Sequence, residues 1–308
     1  MRFSVYQESQ IGGRKNNQDR MGYSFTRDAL LLLVADGMGG HIMGEMAAQI
    51  ALQTIASLFQ ESATPYVKKP ERFLEDSFVA AHREIHRYRA INNLPETPRT
   101  TIVACLIQHN NAIWAHCGDS RLYWMRNGQI LARTRDHSRI ETLIAQGKVD
   151  PSERDTHPDR NKLFNCLGAP NMPIVEISRR ASLQAGDIML LCSDGLWSML
   201  PDHELAQRLH NTTIVRAVPE MLATATSIAG KTGDNVTALA MMWESSDNLQ
   251  GNSTIVTHTL PIGSVTTTIQ APRHVELEHS DYNDAEIEKA IEEIRDALDK
   301  SSRITSRN

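Results

Sequence analysis

The sequence has no apolar run long enough to cross a membrane: the run Ala29–Ala35 is seven residues, against the roughly 20 that a spanning helix needs. Residues 1–10 contain no apolar core of the kind a signal peptide requires. Cysteine is scarce. The four present, Cys105, Cys117, Cys166 and Cys192, are scattered singly, without the paired spacing of a zinc or redox motif. Three sit in strand-like apolar runs, where cysteine behaves as a small hydrophobe. These absences point to a cytoplasmic, reducing setting and no membrane contact. Basic charge is not in excess either: residues 1–244 carry 26 Lys/Arg and 26 Asp/Glu. A neutral body excludes general nucleic-acid binding, which needs a basic face. There is no internal repeat.

What the chain does carry is 308 residues of soluble composition, 41% hydrophobic and 22% charged, with a net charge of −5. The acidity is concentrated near the C-terminus, where residues 276–299 hold ten acids against Lys289 and Arg295. The pattern divides the chain into a body (1–244), a Ser/Thr-rich linker (245–275) and an acidic amphipathic helix with a polar tail (276–308). In that helix Ile287, Ile291, Ile294 and Leu298 form a narrow apolar seam, fit to dock on the body or on a partner.

Within the body, Arg2–Gln7 reads as an edge strand and Ala29–Ala35 as a buried one. Ala47, Ala51, Ile55 and Leu58 share one helical face in 44–59. Leu74, Phe78, Ala81, Ile85 and Tyr88 share another after Pro70. Short β-type runs follow at 101–108, 113–116 and 121–125, and Asn127-Gly128 turns the last into 129–132. Residues 138–163 change texture and read as a surface flap. Strands resume at 188–192 and 237–243, with helical segments at 202–209 and, starting on Pro219, at 219–229. Two helix groups with hairpin-linked strands between them indicate an α+β fold on antiparallel sheets.

One phrase recurs: an apolar strand that stops on an aspartate. Asp36 ends Leu-Leu-Leu-Leu-Val-Ala-Asp-Gly-Met-Gly-Gly, Asp119 stands in Gly-Asp-Ser-Arg, and Asp194 in Ser-Asp-Gly-Leu-Trp. Asp19 in Asn-Gln-Asp-Arg and Asp234 in Gly-Asp-Asn-Val-Thr add two more. Any one of these is ordinarily a turn or capping residue. If their strands are neighbours, however, the carboxylates meet at one edge and raise one another's pKa. Bound cations resolve that repulsion, and an all-oxygen site selects hard ones, Mg²⁺ or Mn²⁺.

From Arg2 to Trp243 these separated motifs, in this order, resemble the metal-dependent serine/threonine protein phosphatases of the type 2C family in their compact bacterial form. The resemblance implies a four-layer α-β-β-α sandwich of two antiparallel sheets flanked by helix pairs. It implies two metal ions, bridged by Asp36 and held further by the Gly37 carbonyl, Asp194 and Asp234. Asp119 matches the acid that helps hold a third, weaker ion beside the flap. Asp19 would stand behind the metals and orient their waters, with Asn235 also among the supporting residues. Arg14, five residues before Asp19, matches the phosphate-binding arginine. Its planar, permanently charged fork suits two phosphate oxygens. Two divalent ions can lower the pKa of a water and aim it at phosphorus, so no side-chain nucleophile is needed. Accordingly there is no Cys-x5-Arg loop and no nucleophile elbow.

The implied activity is hydrolysis of phosphoserine and phosphothreonine in proteins, opposing a bacterial Ser/Thr kinase system. One alternative is the related branch that acts on phosphorylated antagonists of anti-sigma factors; it usually carries sensor modules. Another is a non-catalytic binding module, which should have lost a metal carboxylate. Three departures from the family stand out. Met38, as often in bacterial relatives, occupies the place where many eukaryotic members have a histidine, the proposed general acid; Arg99 stands where glycine is common, and the flap has no close match. His41, His116 and His137 lie near the motifs and are expected to be hydrogen-bonded structural histidines.

Overall fold

The computed structural model describes residues 1–38, 43–154, 157–159, 162–245 and 256–258. The expected helix in 276–299, most of the linker, and His41 lie outside the described residues. The chain opens with β1 (Arg2–Gln10), β2 (Asp19–Phe25) and β3 (Ala29–Asp36), followed by α1 (Gly44–Ser62) and α2 (Pro70–Ile91). Next come β4 (Ile102–Gln108), β5 (Asn111–Cys117), β6 (Arg121–Arg126), β7 (Gln129–Arg133) and α3 (Arg139–Ala145). The short strands β8 (Glu176–Ile177) and β9 (Ala181–Ser182) precede β10 (Ile188–Cys192), α4 (Asp194–Trp197), α5 (Asp202–Asn211) and α6 (Ile214–Ala229). The last strands among the described residues are β11 (Val236–Ser245) and β12 (Val256–His258).

Two sheets result, in the orders β12-β1-β11-β10-β6-β7 and β2-β3-β4-β5-β8, with β9 also on β5. All pairings are antiparallel except β1 with β12. The run in β3 shows why four layers form. Leu30, Leu32 and Val34 point between the sheets, where they meet Val5, Leu191 and Leu239. Leu31, Leu33 and Ala35 point the other way, into α1 and α2, against Ala48, Leu52 and Phe78. A strand apolar on both faces must be covered on both, and each fully buried leucine contributes about 2 kcal/mol. The opposite sheet is covered by α5 and α6, with Leu205, Met221 and Leu222 on Leu190 and Ala238.

Three expectations are corrected. β1 runs to Gln10 and is not an edge, because β12, inside the expected linker, pairs with Ser4–Tyr6. β2 was not anticipated, although Met21, Tyr23 and Phe25 alternate with Arg20, Gly22 and Ser24 and Met21 and Tyr23 are buried. Pro219 does not start a helix but lies inside α6. An internal proline costs one backbone bond, about 3 kcal/mol, and the burial of Ile214, Ala217 and Val218 around it offsets that. The 138–163 excursion contains α3 and a short turn of helix at Pro151–Glu153, and a single bridge pairs Ser138 with Leu163. No helix among the described residues is long and apolar enough to cross a membrane.

Candidate metal centre

Five chain segments bring carboxylates to one end of the sandwich. Asp36 ends β3 and Asp19 begins β2, and the strand register sets the two opposite each other. Asp119 lies in the turn between β5 and β6, Asp194 begins α4 directly after β10, and Asp234 stands two residues before β11. Burial comes first in pushing Asp36 well above the usual carboxylate range; Asp19, Asp194, Asp119 and Asp234 then add their repulsion. Burial raises Asp194 to about 7, helped by Asp234 and Asp19. It raises Asp19 to about 6 in spite of hydrogen bonds from Thr237 and Ser193. Asp119 is also pushed well up, by burial and then by Asp194 and Asp136.

Local geometry fixes each of them. The Asp36 carbonyl accepts from the Thr101 N–H and the Thr100 hydroxyl, both at 2.8 Å. The Thr101 hydroxyl meets Ser120 at 2.6 Å. Gly37 donates its N–H to the Gln18 carbonyl at 3.2 Å, and a Cβ there would collide with the backbone of Gly44 at the start of α1. The Ser193 hydroxyl donates to Asp19 Oδ2 at 2.8 Å. The other oxygen, Asp19 Oδ1, is buried without a hydrogen-bond partner, as is Asp194 Oδ1. Orphaned buried carboxylate oxygens are rare in folded proteins. Together with the mutual repulsion, they make this donor set fit for hard divalent cations. Thr101, Ser120 and Ser193 were missed by sequence reasoning; their only signal is a hydroxyl one residue from a motif aspartate or threonine.

Arg14 is on the same rim, but in a two-pronged pair: its Nε and Nη2 donate to Asp234 Oδ1 and Oδ2 at 2.9 and 2.7 Å. The expected phosphate-binding group and an expected metal ligand therefore hold each other here. Asn235 has a definite task. Its Oδ1 accepts from the Gln18 N–H at 2.8 Å, and its Nδ2 donates to the carbonyls of Ile11 at 2.8 Å and Asn16 at 3.1 Å. It thereby clamps the loop that carries Arg14. Gly12, at φ +60°, lies so close to that strand end that a Cβ would fall on the Asp234 carbonyl. A cavity of about 380 Å³ opens beside the carboxylates, lined among others by Arg14, Asp194, Asp234 and the flap residues Ile140 and Arg154.

The Met38 N–H donates to the Arg99 carbonyl at 3.0 Å. Arg99 is half-buried with its Nε shut off from solvent, so it is not a surface arginine. His116, His137 and Glu176 bring three ligand-type atoms within 4.8 Å of one another, but the proton positions oppose a metal there. His137 Nδ1 faces two donors, the Gly118 N–H at 3.2 Å and Asn165 Nδ2 at 2.6 Å. The orientation of Asn165 is pinned by its two bonds to the Ile174 backbone. The ring proton consequently sits on Nε2, aimed at Glu176 at 3.3 Å, and no lone pair remains for a cation. His116 Nε2 likewise donates to the Arg135 carbonyl at 2.7 Å. Both are structural histidines.

Comparison with known proteins agrees with this picture. The sequence model described as Protein phosphatase 2C matches residues 7–227, and the chain belongs to that family. It is 30% identical over 229 residues to the serine/threonine phosphatase stp of Listeria innocua serovar 6a, covering 73% of this chain and 90% of that protein. Among solved structures it resembles the serine/threonine phosphatase Stp1 from Staphylococcus aureus, with a TM-score of 0.72 and 27% identity over 80% of this chain and 96% of that one. The catalytic domain of the serine/threonine protein phosphatase PstP, solved in complex with two manganese ions, gives a TM-score of 0.66 and 28% identity over 79% and 99% of the two chains.

Proposed function

We propose that the protein is a phosphoric monoester hydrolase that removes phosphate from phosphoserine and phosphothreonine in proteins, using two divalent cations, Mg²⁺ or Mn²⁺. The observation that carries this reading is the set of five carboxylates on one rim, with Asp19 Oδ1 and Asp194 Oδ1 buried and without partners. Asp36, the Gly37 carbonyl, Asp194 and Asp234 would hold the pair of ions, and Asp119 a third. When bound, such ions supply Lewis acidity: they lower the pKa of water toward neutrality and offset the charge of the phosphate.

The remaining work falls to the chain. Arg14 would turn its fork from Asp234 to two phosphate oxygens as Asp234 is taken up by a cation, and Asn235 holds its loop in reach. Asp19, anchored by Ser193 through Oδ2, keeps Oδ1 free to accept a hydrogen bond from water and so orient it. Met38 has no proton to give, so the leaving serine or threonine oxygen takes its proton from solvent rather than from position 38. The physiological substrates would be phosphoproteins made by a Ser/Thr kinase.

The test is phosphate release from a panel of phosphoserine, phosphothreonine and phosphotyrosine peptides, with chelator and with added Mn²⁺. Release from the first two alone, restored by Mn²⁺ and lost in Asp194→Asn, is expected. Release that persists in chelator, or that is strongest on phosphotyrosine, would overturn the reading.

A further inference from the structure

Arg121 opens β6, opposite Cys192 on β10. Two residues beyond that pair along the chain stand Asp119, in the turn before β6, and Asp194, at the start of α4, two like charges that repel. The side chain is 4% exposed, an expensive place for a guanidinium unless every donor is used. It is well provided for. Nε and Nη2 form a fork on Asp136 at 2.8 and 2.7 Å, and Nη1 donates to the Tyr123 hydroxyl at 3.1 Å. Nη1 also lies 3.6 Å from Asp202. The guanidinium carbon sits 3.5 Å over the Trp197 ring.

Trp197 closes α4, the single turn that Asp194 begins, and its Nε1–H donates to the Asp119 carbonyl at 3.0 Å. The indole is thus gripped on its face by Arg121 and fastened at its edge to Asp119. Asp136, the other anchor, stands two residues before Ser138, the cap of α3 where the flap begins. Only a planar cation can stack on the ring and fork onto a carboxylate at once.

We infer that Arg121 is a positioning residue: through the face of Trp197 it fixes the spacing of Asp119 and Asp194, and through Asp136 it ties that spacing to the root of the flap. It touches neither substrate nor any proposed ligand atom. The inference rests on the reading that Asp119 and Asp194 hold divalent ions.

The test uses the full chain, stripped with chelator, with Mn²⁺ titrated in by calorimetry. Turnover of an aryl phosphate is followed against Mn²⁺ concentration, and thermal midpoints are taken without metal. Wild type and Asp194→Asn examine the underlying reading: if they bind Mn²⁺ alike, that reading fails and this inference with it. Trp197→Phe keeps a ring under Arg121 and loses the bond to Asp119; Arg121→Lys keeps the charge and loses fork and stack. Both should weaken Mn²⁺ binding about ten- to hundredfold, the usual effect of removing a group that orients a metal ligand, while turnover recovers as Mn²⁺ is raised. A merely structural clamp predicts lower midpoints with unchanged Mn²⁺ affinity, and that result would overturn the inference. Should Arg121→Lys fail to fold, Asp136→Asn, which loosens the Arg121 fork and keeps the ring beneath it, takes its place, and unchanged Mn²⁺ affinity there would overturn the inference.

Discussion

Strand β10 has a fully buried aspartate just before one end and a half-buried one just past the other, and the two are held in opposite ways. Asp187, just before the strand, is fully buried and accepts four hydrogen bonds: two from Arg126 at 2.7 and 2.8 Å, one from the Trp124 indole at 3.0 Å and one from the Gln184 N–H at 2.9 Å. Burial acts to raise its pKa, but those donors outweigh it and the net shift is downward. Asp194, two residues past the other end, has a buried oxygen with no donor and a pKa pushed up to about 7 by burial and by Asp234 and Asp19. The same residue type is a structural anchor at one end and an unsatisfied group at the other. What separates them is the supply of cations and N–H groups around each. A fold that satisfies Asp187 so fully leaves Asp194 in want only where a ligand is to make up the difference.

The comparison can be broken most sharply by neutralising each end. Asp194→Asn should lower phosphate release by about a thousandfold, roughly 4 kcal/mol of barrier, while the metal-free protein, relieved of a repelled carboxylate, melts no lower than wild type. Steady-state rates and thermal scans in chelator check both halves. Asp187→Ala should do the reverse. Leaving Arg126 without its partner should cost about 3 kcal/mol of stability, a fall of roughly 6–12 °C in thermal midpoint, with the rate per folded molecule kept.

Two arginine forks extend the contrast. Arg14 pairs with Asp234 at a largely exposed position, with side chains 50% and 42% accessible, where an ion pair contributes about 0–1 kcal/mol. Arg14→Ala should therefore melt near wild type yet lose roughly 10- to 100-fold in kcat/KM, the loss of one charge-assisted contact to phosphate. Met38→Ala should change turnover only about twofold. Arg126→Ala should spare kcat/KM and lower the midpoint. If Arg14→Ala destabilises the protein and leaves kcat/KM intact, the two forks are of one kind.

The smallest effect is the pH dependence of the metal-free protein. Asp19 and Asp194, at about 6 and about 7 when folded and about 3.9 when unfolded, bind more protons in the fold than out of it. Their contribution is present below pH 4 and is lost as pH rises toward 7. Asp187, shifted down, contributes above pH 4 and is lost only in acid. In chelator the thermal midpoint should fall by a few degrees between pH 5 and pH 8, and Asp194→Asn should flatten that slope where Asp187→Asn does not. With Mn²⁺ present the fall should shrink, because the ion competes with those protons.

Asp36, Asp119 and Asp194 were legible because each follows an apolar run, a cost visible in one dimension, whereas Asp19 and Asp234 stand among polar residues and owed their place to the resemblance. The packing role of β3 was legible too, since a strand apolar on every residue needs cover on both faces. β2 escaped because its alternation rests on three apolar residues only, Met21, Tyr23 and Phe25, straight after a polar loop. The helical start at Ile214 escaped because propensity favours Pro219 as a beginning, whereas burial, which propensity does not include, extends the helix past it. The bond of Trp197 to Asp119 and the fork of Arg121 on Asp136 have no local signature, because the partners lie 78 and 15 residues apart along the chain.

By itself, then, the sequence determined which residues carry the charge, where most of the apolar strands lie, and hence an α+β fold on antiparallel sheets. Only the tertiary structure decided which aspartates are satisfied and which are not. Hydrophobic periodicity is written along the chain, but the hydrogen-bond supply of a buried carboxylate depends on strand register and on side chains that arrive from elsewhere in the fold.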